Sequence, residues 1–335
     1  MAGFPGRRET ERRNMIEVKN LTKYYGDKLG VQDISFTIGD REIVGLLGPN
    51  GAGKSTLMKM LTGYHLPTAG EMYIDGIDAI ENPRLAMSKI GFMPEIPPLY
   101  VDMTVSNFLA FCAKIRGVKK NDIEHSVADV MKTAALENVS GRLIRNLSKG
   151  YRQRVGLAQA LIGEPEILIM DEPSVGLDPR QMAELRQLIT DLGKDHTVIV
   201  SSHILAELNQ VCSRYIIINK GHLIADEYAD RLDEGIKRGD NFSLKLKTDF
   251  QTANRLLSEI NGIRSVSDRS DAVLNNTMCL LDVEAEDESV REKLFYALAE
   301  AHIPAFELNS EKPTLEQVFL KLTDTDSAYL VSEVQ

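Results

Sequence analysis

The run GLLGPNGAGKST at residues 45–56 constrains this chain more than any other stretch. It has the spacing G-x-x-x-x-G-K-S/T at Gly48, Gly53, Lys54 and Ser55. It follows the apolar segment EIVGLLG and opens a helical pattern that closes at Gly63. Strand, glycine loop and helix in that order let backbone N–H groups turn inward around phosphate oxygens. The helix N-terminus adds the positive end of its dipole. Pro49, Asn50, Gly51, Ala52 and Thr56 complete the loop. Lys54 is expected to reach the outer phosphates, and the Ser55 hydroxyl to hold Mg²⁺. A simple glycine-rich turn explains neither the full spacing nor the Lys-Ser-Thr ending.

A second motif, ILIMDEP, completes the chemistry. Ile167 to Met170 read as a buried strand, with Asp171 at its end to orient Mg²⁺ or its waters. Glu172 stands one residue further on, where a carboxylate can take a proton from attacking water. An isolated Asp-Glu pair is commonly a solvated strand end; here a phosphate loop lies upstream in the same domain. The strand VIVSS ends in His203. A lone histidine is usually a packed or exposed residue, but strand ends are where α/β nucleotide folds place ligand groups. His203 is therefore read as catalytic.

Length and composition permit about two folded domains: 335 residues, 43% hydrophobic and 26% charged. A net charge of −10 speaks against non-specific nucleic-acid binding. No apolar run approaches the roughly 20 residues of a membrane span, and the N-terminus lacks a signal peptide's apolar segment. Cys112, Cys212 and Cys279 are scattered and odd in number, which points to a reducing cytoplasm. Residues 1–14 have no periodicity and are expected to be a disordered leader. Residues 15–235 alternate strand and helix around a buried sheet, with a helical insertion at about 96–162. RYIIINKGHLIADE reads as a hairpin turning at Lys220–Gly221. Residues 240–325 follow a β-α-β-β-α-β order, which suggests a small ferredoxin-like unit, ending in the helix TLEQVFLKLT with a Thr314–Gln317 capping box. Residues 326–335 form a tail.

Taken in order, these motifs resemble the ATP-binding subunits of ABC transporters over about residues 15–225. LSKGYRQRVGLAQAL resembles the family signature, usually written LSGGQ: Ser148 and Gly150 match, while Lys149 and Tyr151 depart from it. Ser148 can cap the following helix, and Gly150 lets a phosphate approach its N-terminus. SVGLDP matches the segment that lines the dimer contact, with Asp178 in the family's aspartate position. Tyr25 in LTKYYG matches the aromatic that stacks on adenine; a core tyrosine is the other reading.

The resemblance implies an α/β fold: a P-loop NTPase core with an antiparallel β subdomain and a helical insertion, followed here by the small α+β domain. It implies ATP and Mg²⁺ as ligands, and hydrolysis by two ATP-binding subunits paired head to tail, either a homodimer or a pair with a paralogue. Each ATP then lies between one subunit's phosphate loop and the other's signature. Integral-membrane permease subunits are the expected partners, with the chain peripheral on the cytoplasmic face of the cell membrane and no nucleic acid bound. PTLEQVFLKLT resembles the tail of ATPase chains serving exporter-type permeases. An importer ATPase is one alternative; a soluble ATPase working on ribosomes or DNA is another. The single phosphate loop and the lack of a coiled-coil insertion count against the latter.

One departure stands out. After the strand IGFM, most family members have a glutamine that touches Mg²⁺ and the attacking water; here that position is Glu95. A carboxylate ligates Mg²⁺ as a hard anionic oxygen but donates no hydrogen bond unless protonated. Glu95 either makes site assembly more metal-dependent or replaces glutamine without consequence. Pro94, Pro97 and Pro98 stiffen the chain around it. Ile96, Leu99 and Tyr100 lead into the region that, by resemblance, receives the membrane subunit.

Overall fold

Short runs of three or four apolar residues, rich in Ile and Val, lie within strands of four to six residues covered on both faces. The computed structural model describes residues 13–202, 211–229, 240–269 and 278–310. These divide into two compact units between Ala229 and Asp230. His203, residues 1–12 and the expected final helix at 314–323 lie outside the described residues.

The first unit contains two sheets. Strands β1 (Asn14–Tyr25), β2 (Lys28–Gly39), β4 (Ala69–Ile74) and β5 (Ile77–Asp78) form an antiparallel sheet in the order β2-β1-β4-β5. The strand β1 takes in Asn14, and Arg13 just before it pairs with Asp75. Strands β3 (Ile43–Leu47), β6 (Ile90–Met93), β7 (Ile167–Met170), β8 (Thr197–Ser202), β9 (Arg214–Asn219) and β10 (His222–Tyr228) form the second sheet, in the order β10-β9-β3-β8-β7-β6. All its pairs are parallel except the β9–β10 hairpin. One core cluster joins both sheets, with Leu21, Ile34, Met60 and Ile169 fully or almost fully buried.

Helix α1 (Lys54–Leu61) follows β3, and α2 (Pro83–Ser88) precedes β6. The insertion contains α3 (Val105–Arg116), α4 (Ile123–Thr133) and α5 (Lys149–Leu161). Thr104 caps α3 by accepting from Asn107 N at 3.3 Å. Helix α6 (Pro179–Leu192) connects β7 to β8. Arg214 closes the hairpin from within and ties it to β2. Its Nε and Nη2 donate to Asp226 at 2.7 Å each, and Nη1 donates to Thr37 O at 2.9 Å. These bonds to Asp226, against the opposing effect of burial, raise the Arg214 pKa above its ordinary value.

The second unit follows its own pattern: β11 (Asp240–Leu246), α7 (Phe250–Ser258), β12 (Ile263–Asp268), β13 (Cys279–Ala285), α8 (Val290–Glu300) and β14 (Ala305–Ser310). Its antiparallel sheet has the order β12-β13-β11-β14. Strict alternation on β11 buries Phe242, Leu244 and Leu246 against Leu257, Leu294 and Leu298 of the helices. This is the ferredoxin-like arrangement that the order of elements implied.

Replacing Arg214 with Met leaves Asp226 without its partner in a half-buried site. The variant is expected to lose about 3 kcal/mol of stability, measured by denaturant unfolding of the full chain. An unchanged midpoint would show that the ion pair contributes nothing net.

Candidate active site

The parallel sheet sets the phosphate loop beside the acidic strand end. Strand β8 lies between β3 and β7, with Leu47 level with Ser202 and Met170 level with Val200. The chain leaves β3 at Gly48 and β7 at Asp171, at the same edge of the sheet. A side chain at Gly48 would run into the carbonyl of Ile218, and Gly53 has φ +113°, a conformation that glycine adopts without penalty. The loop is pinned from outside by Gly221, whose N–H donates to Ala52 O at 2.8 Å while its carbonyl accepts from Gln32 N at 2.7 Å.

Lys54 is 6% exposed. Its Nζ donates to Gly48 O at 2.6 Å and lies 3.9 Å from Glu172 Oε1. Burial lowers its pKa, and Glu172 and Asp171 oppose that shift. The ammonium is thus folded back on the loop that it is expected to serve, beside the carboxylate expected to act on water.

A hydroxyl on the neighbouring strand bonds both residues of the acidic end. Ser201 Oγ donates to Asp171 Oδ1 at 2.6 Å and accepts from Glu172 N at 2.9 Å. Asp171 N also donates to Met93 O at 2.8 Å. Glu172 sits at φ +46°, in the left-handed region, which costs a non-glycine residue on the order of 1 kcal/mol. The bend turns the chain out of the strand, and the Ser201 bond holds it there.

A cleft of about 660 Å³ brings together Tyr25, residues 49–56, Glu95 and Glu172. Tyr25 is 41% exposed at the end of β1, so it is not a core tyrosine. Glu95 is exposed, and its carbonyl accepts from Gln153 Nε2 on α5 at 3.1 Å. Pro97 packs over Gly156, one turn further along the same helix. The stiffened linker after β6 is therefore seated on α5 at two points.

Ser148, Gly150 and Asp178 do not line that cleft. Ser148 caps α5 by accepting from Tyr151 N at 3.4 Å, and Asp178 caps α6 by accepting from Gln181 N at 2.8 Å. Ser148 and Gly150 line a separate groove of about 420 Å³ with Gln153, Gln181 and Leu185. Within one chain, then, the phosphate loop and the signature segment are in different places.

Sequence reading missed several contributors. Lys28, Leu29, Gly30 and Val175 also line the cleft. The sequence marks Gly221 only as a turn residue, and Ser201 only as part of a strand. The signal for Ser201 was present: two hydroxyl residues end an otherwise apolar run.

A glycine loop opening a helix, beside paired carboxylates at the ends of a parallel sheet, defines a nucleotide-binding domain of the P-loop class. The family model described as ABC transporter matches residues 31–175. The linearmycin resistance ATP-binding protein LnrL of Bacillus subtilis (strain 168) is 31% identical over 92% of this chain and 98% of its own. The bacitracin transport ATP-binding protein BcrA of Bacillus licheniformis is 35% identical over 69% of this chain and 75% of its own. A dimeric structure of the ATP-binding cassette MJ0796, in a post-hydrolysis state bound to ADP and Pi, is 27% identical with a TM-score of 0.58, covering 64% of this chain and 99% of that one. The chain belongs to the ABC transporter family, as an ATP-binding subunit with ATPase activity.

Ser201→Ala removes both bonds at the acidic strand end. It is expected to destabilise the first unit by about 1–3 kcal/mol and to slow ATP turnover, measured by thermal unfolding and phosphate release. Unchanged turnover would show that the Glu172 bend holds without it.

Proposed function

We propose that this chain hydrolyses ATP as one of two paired ATP-binding subunits that drive an exporting permease. The observation that carries the catalytic part is the convergence of Lys54, Glu95 and Glu172 on one cleft with the phosphate loop. The loop N–H groups and the α1 N-terminus bind the phosphates, and Lys54 swings from Gly48 O to their outer oxygens. Glu172 takes a proton from water as the water oxygen bonds to the γ-phosphorus; the bond to the β–γ bridging oxygen breaks and ADP leaves. His203, the next residue in sequence after β8, is proposed to assist. Tyr25 stacks on the base.

The site suits Mg²⁺. The described residues include no cluster of three or more His, Cys, Asp or Glu placed to hold a metal by themselves. An Mg²⁺ ion here would take most of its ligands from phosphates and water, with one or two protein oxygens. Ser55, Asp171 and Glu95 would supply those oxygens. When bound, Mg²⁺ neutralises charge developing on the phosphates.

The separation of the loop from Ser148, Gly150 and Asp178 supports pairing: the signature of a second subunit, identical or paralogous, completes each site. The apolar linker supports a permease partner. Ile96 is 82% exposed and Tyr100 55% exposed, more than burial in their own unit explains. No helix among the described residues is long and apolar enough to cross a membrane, so attachment would come through those permease subunits on the cytoplasmic face. Export is favoured over import by a relative whose name states it, the Nod factor export ATP-binding protein I of Rhizobium meliloti (strain 1021), 36% identical.

Lys54→Ala is expected to weaken ATP binding by at least about tenfold in equilibrium titration, and unchanged affinity would remove Lys54 from the site. Co-expression with candidate membrane subunits, followed by detergent purification, tests the partner. A membrane protein should co-purify with the wild-type chain and be lost in Ile96→Asp. Recovery with ribosomes or DNA instead would overturn the transport reading.

A further inference from the structure

We propose that Lys23 and His65 are positioning residues for the Tyr25 ring, and that through it they set how tightly the site holds the base of its nucleotide. This rests on the reading that Tyr25 stacks on the base. Neither residue lines the cleft. Both act on a ring that does.

Three neighbours surround Tyr25. The Lys23 ammonium lies 5.4 Å from the ring centroid. It does not swing freely, because Nζ donates to Leu66 O at 2.7 Å. The His65 ring meets the Tyr25 ring edge to face, with centroids 5.5 Å apart and planes at 79°. His65 is half-buried, and its backbone N–H, just beyond α1, donates to Lys59 O at 3.1 Å. On a third side lies Gly30, where a Cβ would come within 3.0 Å of Tyr25 Cε2 and 2.9 Å of Thr56 Cγ2. The ring has contacts on these sides and still lines the cleft.

The physical consequence is pre-organisation. An exposed tyrosine samples several rotamers, and stacking on a base selects one of them at an entropic cost. A ring already held by an edge-to-face neighbour and a fixed cation avoids most of that cost. The effect acts on the base and leaves the phosphates alone. Leu66 and His65 belong to the turn after α1, and Lys59 to α1 itself, the helix that the phosphate loop opens. The supports of the Tyr25 ring and the phosphate loop therefore meet at the two ends of one helix.

The test compares binding of ATP with binding of inorganic tripolyphosphate, both with Mg²⁺, by the full chain. Tripolyphosphate has the phosphates and no base. His65→Ala and Lys23→Met are each expected to weaken ATP binding about three- to tenfold, while tripolyphosphate affinity stays within about twofold. His65→Phe, which keeps an edge-to-face ring, should restore most of the ATP affinity. In a Tyr25→Ala background, His65→Ala should add no further loss. Equal losses for ATP and tripolyphosphate would overturn the proposal in favour of a purely structural role. So would normal ATP affinity in both variants when Tyr25→Ala weakens it. Normal ATP affinity in Tyr25→Ala itself would instead refute the base-stacking reading on which the proposal stands.

Discussion

The Ser201 hydroxyl is the hinge pin of the catalytic end of the sheet. It gives one hydrogen bond to Asp171 and takes another from Glu172 N, at 2.6 and 2.9 Å. Both acidic residues sit just past the last residue of β7, where the ladder no longer dictates their direction. The Ser201 bond helps hold Glu172 at φ +46°, with its carboxylate beside Lys54. The remaining geometry follows from neighbouring strands: β3 delivers the phosphate loop, β6 delivers Glu95, and β8 delivers Ser201 itself.

On the proposed pairing of two subunits, that arrangement makes half a site. The signature helix α5 starts in another groove, yet it is mechanically tied to the first by Gln153, which bonds the Glu95 carbonyl, and by Pro97 resting on Gly156. A shift of the linker after β6 would thus be felt at both Glu95 and the start of α5. A segment stiffened by three prolines and seated at two points on a helix transmits displacement better than a flexible loop would.

Much of this was legible in the sequence because the strongest signals are local. Spacing alone identified Gly48, Gly53, Lys54 and Ser55, and apolar runs identified β3, β7 and β8. Strict alternation on β11, and the order of elements after it, gave the topology of the second unit. What was not legible depends on contacts distant in sequence. Ser201 lies 29 and 30 residues from the groups it holds. Gly221 matters because its turn reaches back to Ala52. Gly30 matters because Tyr25 and Thr56 crowd it. None of these residues has a pattern of its own: a serine in a strand and a glycine in a turn are ordinary until the fold supplies their partners. Tyr25 was ambiguous for the same reason, since only its exposure separates a base platform from a core residue.

The decisive measurement is ATP turnover of Glu172→Gln against its ATP affinity, both in the full chain. If the carboxylate beside Lys54 is the group that accepts the proton, turnover at saturating ATP should fall at least about 100-fold, while affinity stays within about twofold. Near wild-type turnover in that variant would contradict the role of Glu172.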